Sequence, residues 1–474
     1  MRPIEVCDRL GRWSSGRGPL YVLLAARMRR LIDDGELPPG ALLPPDRALA
    51  AALAVGRTTV VAAYELLRSE GRITRRQGSG TRVVGSRPSG TVEDAPVDPI
   101  FLDSLESRDD DVLLAICAAP GDPPPQLAEA YERILPSLRE ISGDIGYYPY
   151  GHPILRQAIS QRYADRGVPT APDQILVTNG GQQALSLLAH ALLSPGDQVL
   201  VEAPTYPGAL EAFREEAAVL RGLPVGLEGF EAAVRERRPG LAYVIPTYQN
   251  PTGFVLSPLV RERLARAAAA ADVPLIEDEV PADLGFPGTS QPVPMAAYSD
   301  AVISIGSLSK SVWGGLRIGW IRSPAPLTNR LARLRAVHDL GGNVPAQLAA
   351  AHLVDELDEL DLATELQTRH DHLRGLLTRH LPTWRVPSIQ GGQTLWVRLP
   401  HGDGNSFAQT ALRHGLAILP GSGLDVTGNS DPYVRLHFRA RPEELTEAVT
   451  RLSSAWHTYN PPADRVSPRP AIAI

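Results

Sequence analysis

Gln174-Ile175-Leu176-Val177-Thr178-Asn179-Gly180-Gly181-Gln182-Gln183-Ala184-Leu185-Ser186-Leu187-Leu188 decides the fold. A short apolar run stops at an Asn-Gly-Gly turn, and apolar residues then recur at helical spacing as far as Leu193. The pattern repeats outward: strand Gln198–Val201 with helix Gly208–Glu216, strand Leu241–Ile245 with helix Pro258–Ala271, then strand Pro274–Glu277. Strands alternating with helices predict an α/β domain with a mostly parallel sheet, spanning residues 112–457. Ligands of such sheets lie beyond the carboxyl ends of the strands. The turn at 178–182 stands at such an end, where free amides and a helix dipole favour a phosphate.

Further candidate motifs fall at strand ends. They are Glu202-Ala203-Pro204-Thr205-Tyr206-Pro207-Gly208, Tyr248-Gln249-Asn250-Pro251-Thr252-Gly253, the acids Glu277-Asp278-Glu279, and Gly306-Ser307-Leu308-Ser309-Lys310 followed by Gly314-Gly315-Leu316-Arg317-Ile318-Gly319. Lys310 is the single lysine of the chain, against 46 arginines. An arginine-rich composition explains why lysine is scarce, and leaves open why one is kept. A primary amine can lose its proton, attack a carbonyl and form an imine, which a guanidinium cannot.

Of the 474 residues, 43% are hydrophobic and 21% charged, as in an ordinary globular protein. No apolar run approaches the roughly 20 residues of a membrane span, and the first residues carry no apolar leader, so a cytoplasmic protein is expected. Cys7 and Cys117 have no metal-ligand spacing, and no metal site is expected. Several features read as plain structure: a surface helix at Ala265–Ala271, an acidic solvated helix at Asp355–Glu365, surface histidines 370, 372 and 380, and core tryptophans 313 and 320.

The net charge of −6 is unevenly placed. Residues 1–90 hold 15 arginines and 8 acids, a surplus of +7, and the remainder carries −13. A basic segment on an acidic body points to a polyanionic partner. Its pattern predicts helices over Pro19–Asp34, Pro45–Leu53 and Arg57–Ser69, with a tight turn at Ala54-Val55-Gly56, then a hairpin over Gly71–Val83. That order is a winged helix-turn-helix. Arg57, Thr58 and Thr59 open the third helix, where side chains enter a major groove. Arg75, Arg76 and Arg82 on the wing suit phosphate or minor-groove contacts.

This segment resembles the GntR-type winged-helix DNA-binding domain. The carrying residues are Leu43-Pro44-Pro45-Asp46-Arg47-Ala48-Leu49-Ala50, Arg57-Thr58-Thr59-Val60, Ala63-Tyr64, Leu67, Glu70-Gly71 and Gln77-Gly78-Ser79-Gly80-Thr81. The resemblance adds Arg47 and Gly78 to the DNA-contacting set and implies double-stranded operator DNA as partner. The expected organisation is a tail at 1–17, the reader at 18–85, a linker at 86–111, the large domain at 112–457 and a tail at 458–474.

The motifs of the large domain, in their order, resemble the fold-type I aminotransferases that use pyridoxal 5′-phosphate (PLP). That implies a smaller C-terminal α+β subdomain. Lys310 would bond to the cofactor aldehyde, Asp278 would pair with the pyridinium nitrogen, Asn250 would bind the ring hydroxyl and Tyr206 would stack on the ring. Gly181, Gln182, Ser307, Ser309 and Arg317 would hold the phosphate. Arg435, in Tyr433-Val434-Arg435-Leu436-His437-Phe438, matches the arginine that takes an α-carboxylate. Tyr147 matches the tyrosine that reaches a neighbouring subunit's phosphate. Val280 and Pro281 depart from the pattern, because the family has a tyrosine at one of these positions that donates to the ring hydroxyl.

The two resemblances in one chain are those of the MocR/GabR family of PLP-dependent transcriptional regulators. They imply a head-to-tail homodimer that senses PLP or an amino-acid-like effector, the reader of one subunit lying against the large domain of the other. A working aminotransferase acting on an α-amino acid is the competing expectation. It is favoured by Lys310, Asp278, Asn250 and Arg435, and opposed by Val280 and the DNA reader.

Overall fold

The computed structural model describes residues 2–11, 13–14, 19–33, 35–38, 40–69, 72–76, 80–84, 113–114, 123–140 and 143–459. The expected linker at 86–111, the stretch beyond 459, Gly78 and the Arg76 side chain lie outside the described residues.

The N-terminal unit contains α1 (Pro3–Leu10), α2 (Leu20–Asp33), β1 (Leu42–Leu43), α3 (Asp46–Ala52), α4 (Arg57–Ser69), β2 (Ile73–Arg76) and β3 (Gly80–Val83). The strands form an antiparallel sheet in the order β1-β3-β2. Leu24, Met28 and Leu31 of α2 meet Leu49 and Leu53 near α3 and Val60, Tyr64 and Leu67 of α4, and Ile73 and Val83 close the core. Residues 3–10, expected within a tail, are instead helical. Pro3 opens the helix, the Glu5 carboxylate accepts from the Arg2 amide at 2.8 Å, and Val6 and Leu10, one turn apart, enter the reader core with Trp13. Burying each of these two aliphatic side chains contributes about 1.5–3 kcal/mol, which a free tail would forfeit.

The large domain continues with β4 (Leu113–Leu114), α5 (Pro125–Glu140), α6 (Pro153–Asp165), β5 (Ile175–Thr178), α7 (Gly181–Leu192), β6 (Gln198–Ala203), α8 (Pro207–Glu215), β7 (Val219–Pro224), α9 (Phe230–Arg237), β8 (Leu241–Val244), α10 (Pro258–Ala270), β9 (Leu275–Asp278), β10 (Val302–Ser307), β11 (Gly319–Arg322), α11 (Ala325–His338) and α12 (Val344–Asp355). Seven strands form one sheet in the order β5-β11-β10-β9-β8-β6-β7, with only β11 antiparallel to its neighbours. Both faces are covered: α7, α8 and α11 pack on one, and α5, α6, α9, α10 and α12 on the other. That burial explains the near-continuous apolar runs of the strands.

A C-terminal subdomain follows: α13 (Leu362–His380), β12 (Thr394–Arg398), α14 (Gly404–Arg413), β13 (Leu416–Ala417), β14 (Leu419–Pro420), β15 (Tyr433–His437) and α15 (Pro442–Thr458). Its antiparallel sheet runs β12-β15-β14 against the helices. The architecture is α/β with a winged-helix unit at its N-terminus, as expected.

Four local expectations are corrected. Leu264, Ala265 and Ala268 of α10 face the core rather than solvent. Residues 355–365 are not one helix, because buried Leu357 turns inward in a single 3₁₀ turn between α12 and α13. His370 is 4% exposed, lying against the rings of Phe286 and Phe438 at centroid distances of 5.0 and 5.5 Å. Trp320 is core, but Trp313 is 39% exposed.

Candidate cofactor site and DNA-reading surface

The turn between β5 and α7 is shaped by its glycines. Gly180 has φ +84°, and a Cβ there would lie 2.7 Å from the Arg317 guanidinium. Gly319 presses against the same turn, where a Cβ would come within 2.6 Å of the Gly180 carbonyl carbon. Arg317 is itself left-handed at φ +56°, an uncommon conformation for a residue with a side chain. From there its guanidinium donates to the Asn179 carbonyl and, at 3.3 Å, to that of Gly314. A cation is thus held across the N-terminus of α7, whose first amides have no helical partner. Next to it, Ser307 Oγ accepts from the Ser309 amide at 3.1 Å. Tyr206 OH lies 3.1 Å from Gln182 Oε1, and a Cβ on Gly208 would strike the Tyr206 ring at 2.5 Å.

β9 ends in Asp278, which is 5% exposed. Its Oδ2 accepts from Tyr243 OH at 2.5 Å and its Oδ1 from the Val280 amide at 2.9 Å. Burial pushes its pKa up to about 6, against the pull of these two donors. The neighbouring acids have structural partners. Glu277 points to the other face and accepts from Met295, Ala296 and Ser304, burial raising its pKa. Glu279 pairs with Arg166 at 2.8 Å, and Asp283 pairs with Arg162 at 2.7 Å. On β6, Glu202 is buried with its pKa pushed up to about 8, and it accepts from the Ile245 amide.

β9 and β10 are parallel neighbours with Asp278 in register with Ile305, and half-buried Lys310 lies three residues beyond the end of β10. Arg435 on β15 is 2% exposed and donates to Asn250 Oδ1 at 2.9 Å. That bond fixes the amide's orientation and leaves Asn250 Nδ2–H as a donor. Val280 Cγ2 would be 3.1 Å from a Cβ on Gly181. Tyr147, before α6, is 59% exposed, and Gln182 and Arg317 of the expected site are exposed as well.

Two residues of this region escaped the sequence reading. Tyr243 sits inside an apolar strand, and the only signal was that a buried phenol needs a hydrogen-bond partner. Arg439, after β15, donates to the Lys310 carbonyl at 3.0 Å, and no local pattern announced it.

On the reader, Arg47, Arg57 and Thr58 are exposed and Thr59 half-buried. Arg57 Nε is held by Asp46 Oδ2 at 2.9 Å. Arg75 and Arg82 are exposed on the wing, and Arg82 also donates to the Gly40 carbonyl at 2.8 Å.

Fold and site together define a two-part class, a winged-helix DNA reader joined to an aminotransferase-type α/β domain. Residues 20–83 match the family described as bacterial regulatory proteins, gntR family, and residues 109–452 match aminotransferase class I and II. The chain belongs to the MocR/GabR family of regulators that combines the two. The uncharacterized HTH-type transcriptional regulator YdcR of Escherichia coli is 31% identical, over 88% of this chain and 94% of that protein. The probable rhizopine catabolism regulatory protein MocR of Rhizobium meliloti is 32% identical, over 77% and 78%. Among solved structures, the α-aminoadipate aminotransferase LysN of Thermus thermophilus, complexed with N-(5′-phosphopyridoxyl)-L-leucine, has a TM-score of 0.65 at 27% identity, covering 73% of this chain and 92% of that one. Among the described residues no helix is long and apolar enough to cross a membrane.

Proposed function

We propose that the chain is a cytoplasmic, PLP-dependent transcriptional regulator that holds PLP on Lys310 and changes its DNA binding when PLP, or an amino-acid-like effector, occupies the site. The observation that supports this reading is that the chain's single lysine follows β10, the strand paired with the one ending in buried Asp278, while a Cβ at Gly180 would strike the Arg317 guanidinium. When bound, PLP supplies an aldehyde for a lysine amine and a pyridinium ring that withdraws electrons.

The donor set fits that group. Asp278 would hold the proton at the ring nitrogen, and Tyr243 keeps its carboxylate aimed. Asn250 Nδ2 would donate to the ring hydroxyl, and Tyr206 would cover the ring face. Arg317, Ser307, Ser309, Gly181 and Gln182 would hold the phosphate. Arg435 would take an effector's carboxylate. Arg47, Arg57, Thr58, Thr59, Arg75, Arg76, Gly78 and Arg82 would contact operator DNA. Regulation requires that the effector bind one arrangement of the molecule more tightly than the other. We also propose a head-to-tail homodimer, in which Tyr147 would reach the neighbouring phosphate.

Borohydride reduction in the presence of PLP, followed by peptide mapping, tests the cofactor reading. The adduct is expected on Lys310 and absent from Lys310→Ala, apart from any at the N-terminal amine. An undiminished side-chain adduct in that variant overturns it. Arg435 bonded to Asn250 favours one second reading, a working aminotransferase on an α-amino acid. Multiple turnovers with any amino acid in a panel would establish that reading, and a single stoichiometric reaction or none would support sensing.

A further inference from the structure

The turn that carries Lys310 is bonded within its own domain on either side of that residue. The Leu308 amide donates to the Ile318 carbonyl at 3.0 Å, and the Val312 and Trp313 amides both donate to the Leu308 carbonyl, at 2.9 and 3.1 Å. The Lys310 carbonyl instead accepts from Arg439 Nη1 at 3.0 Å. Arg439 stands two residues beyond β15, so this bond reaches the turn from the C-terminal subdomain.

Arg439 is itself held. Its amide donates to His437 Nδ1 at 3.2 Å, and its carbonyl accepts from the Arg369 guanidinium, which pairs with Glu365 on α13. A strut thus runs from α13 through Arg369 and Arg439 to the Lys310 backbone. The Arg439 side chain is half-buried, and among the described residues no carboxylate forms an ion pair with it. Burial lowers its pKa, and the charge of Glu365 opposes that fall. Withdrawing a guanidinium from water without an ion-pair partner costs free energy, and packing alone would be served by a neutral side chain. What the charge provides is a strong bond to one carbonyl, that of the chain's single lysine.

We propose that Arg439 is a positioning residue for Lys310: by holding the Lys310 carbonyl it aims the amine at the place of the PLP aldehyde and so raises the rate at which the two join. The proposal rests on the cofactor reading given above. In the joining step the amine nitrogen attacks the aldehyde carbon, a C=N bond forms, and the aldehyde oxygen leaves as water with the two amine hydrogens. Arg439 transfers no proton. A lysine amine sits on a flexible four-carbon stem, so pinning the backbone at its root narrows the positions the nitrogen visits. The ring and phosphate contacts are made by other residues and do not depend on this bond.

The test uses full-length wild type, Arg439→Met and Arg439→Lys. Methionine keeps an unbranched stem and loses every donor, whereas lysine keeps a cationic donor. The probes are PLP and 4′-deoxypyridoxine 5′-phosphate, which has a methyl group in place of the aldehyde and cannot bond to an amine. Borohydride added at intervals after mixing with PLP, followed by peptide mapping, gives the rate of adduct formation on Lys310 and separates it from the amine that Arg439→Lys adds. That rate should fall about tenfold in Arg439→Met, for the loss of one charge-assisted bond, and Arg439→Lys should be faster than Arg439→Met. The dissociation constant of the deoxy analogue should be unchanged in both. A wild-type rate in Arg439→Met, or a rate in Arg439→Lys no faster than in Arg439→Met, overturns the positioning role. So does an analogue affinity that falls as far as the rate, because the whole site has then been loosened. A wild type that forms no Lys310 adduct overturns the cofactor reading and this inference with it, whereas equal rates in all three proteins overturn this inference alone.

Discussion

Asp278 is pulled in two directions. Burial pushes its pKa up to about 6, while Tyr243 and the Val280 amide donate to the ionised form and oppose the rise. A pyridinium partner needs the carboxylate ionised, so PLP retention should weaken as pH falls through about 6. Tyr243→Phe removes a donor to the charged form, so the Asp278 pKa should rise and the retention midpoint should move to higher pH. A pH series of bound-PLP absorbance for both proteins checks this, and coincident midpoints would count against the assignment of Asp278. Lys310 and Asp278 were legible because their chemistry is rare and their strand-end positions recur in order. Tyr243, Arg439 and buried His370 were not, because each is placed by contacts between segments distant in sequence.

At the scale of elements, the β5–α7 turn works only with a glycine at its bend. Gly180→Ala puts a Cβ at a positive φ and 2.7 Å from the Arg317 guanidinium. Strain of about 1–3 kcal/mol at the cradle should weaken PLP binding about tenfold or more, with the rest of the fold intact by circular dichroism. An unchanged dissociation constant for PLP would show that the turn does not hold the phosphate. This turn was readable from sequence, since Asn-Gly-Gly between an apolar run and a helical period has few other meanings. The strands were also readable, within a few residues. α1 was missed because its helical signal is two turns long, and tertiary burial of Val6, Leu10 and Trp13 decides it. The break at Leu357 was missed because acidic neighbours hide one inward-facing leucine.

For the whole molecule, the expected dimer has a physical handle. Gly341 packs against the Tyr148 backbone, which sets Leu340, 45% exposed, beside the segment of Tyr147, 59% exposed. Apolar side chains grouped at the surface mark interfaces. Leu340→Asp should lower the solution mass toward one chain of 51.0 kDa in light scattering; a mass equal to the wild type's would exclude Leu340 from the interface. The charge asymmetry and the two domain types were plain in the sequence, whereas the bond from Arg439 to the Lys310 carbonyl joins residues 129 apart and could only be seen in the fold. The central claim, that occupancy of Lys310 governs DNA binding, is met most directly by one titration. Labelled DNA from upstream of the gene is titrated with wild type and Lys310→Ala, each with and without PLP. PLP should change the wild-type affinity about fivefold or more and leave the variant's unchanged; equal responses in the two proteins, or none in the wild type, would contradict it.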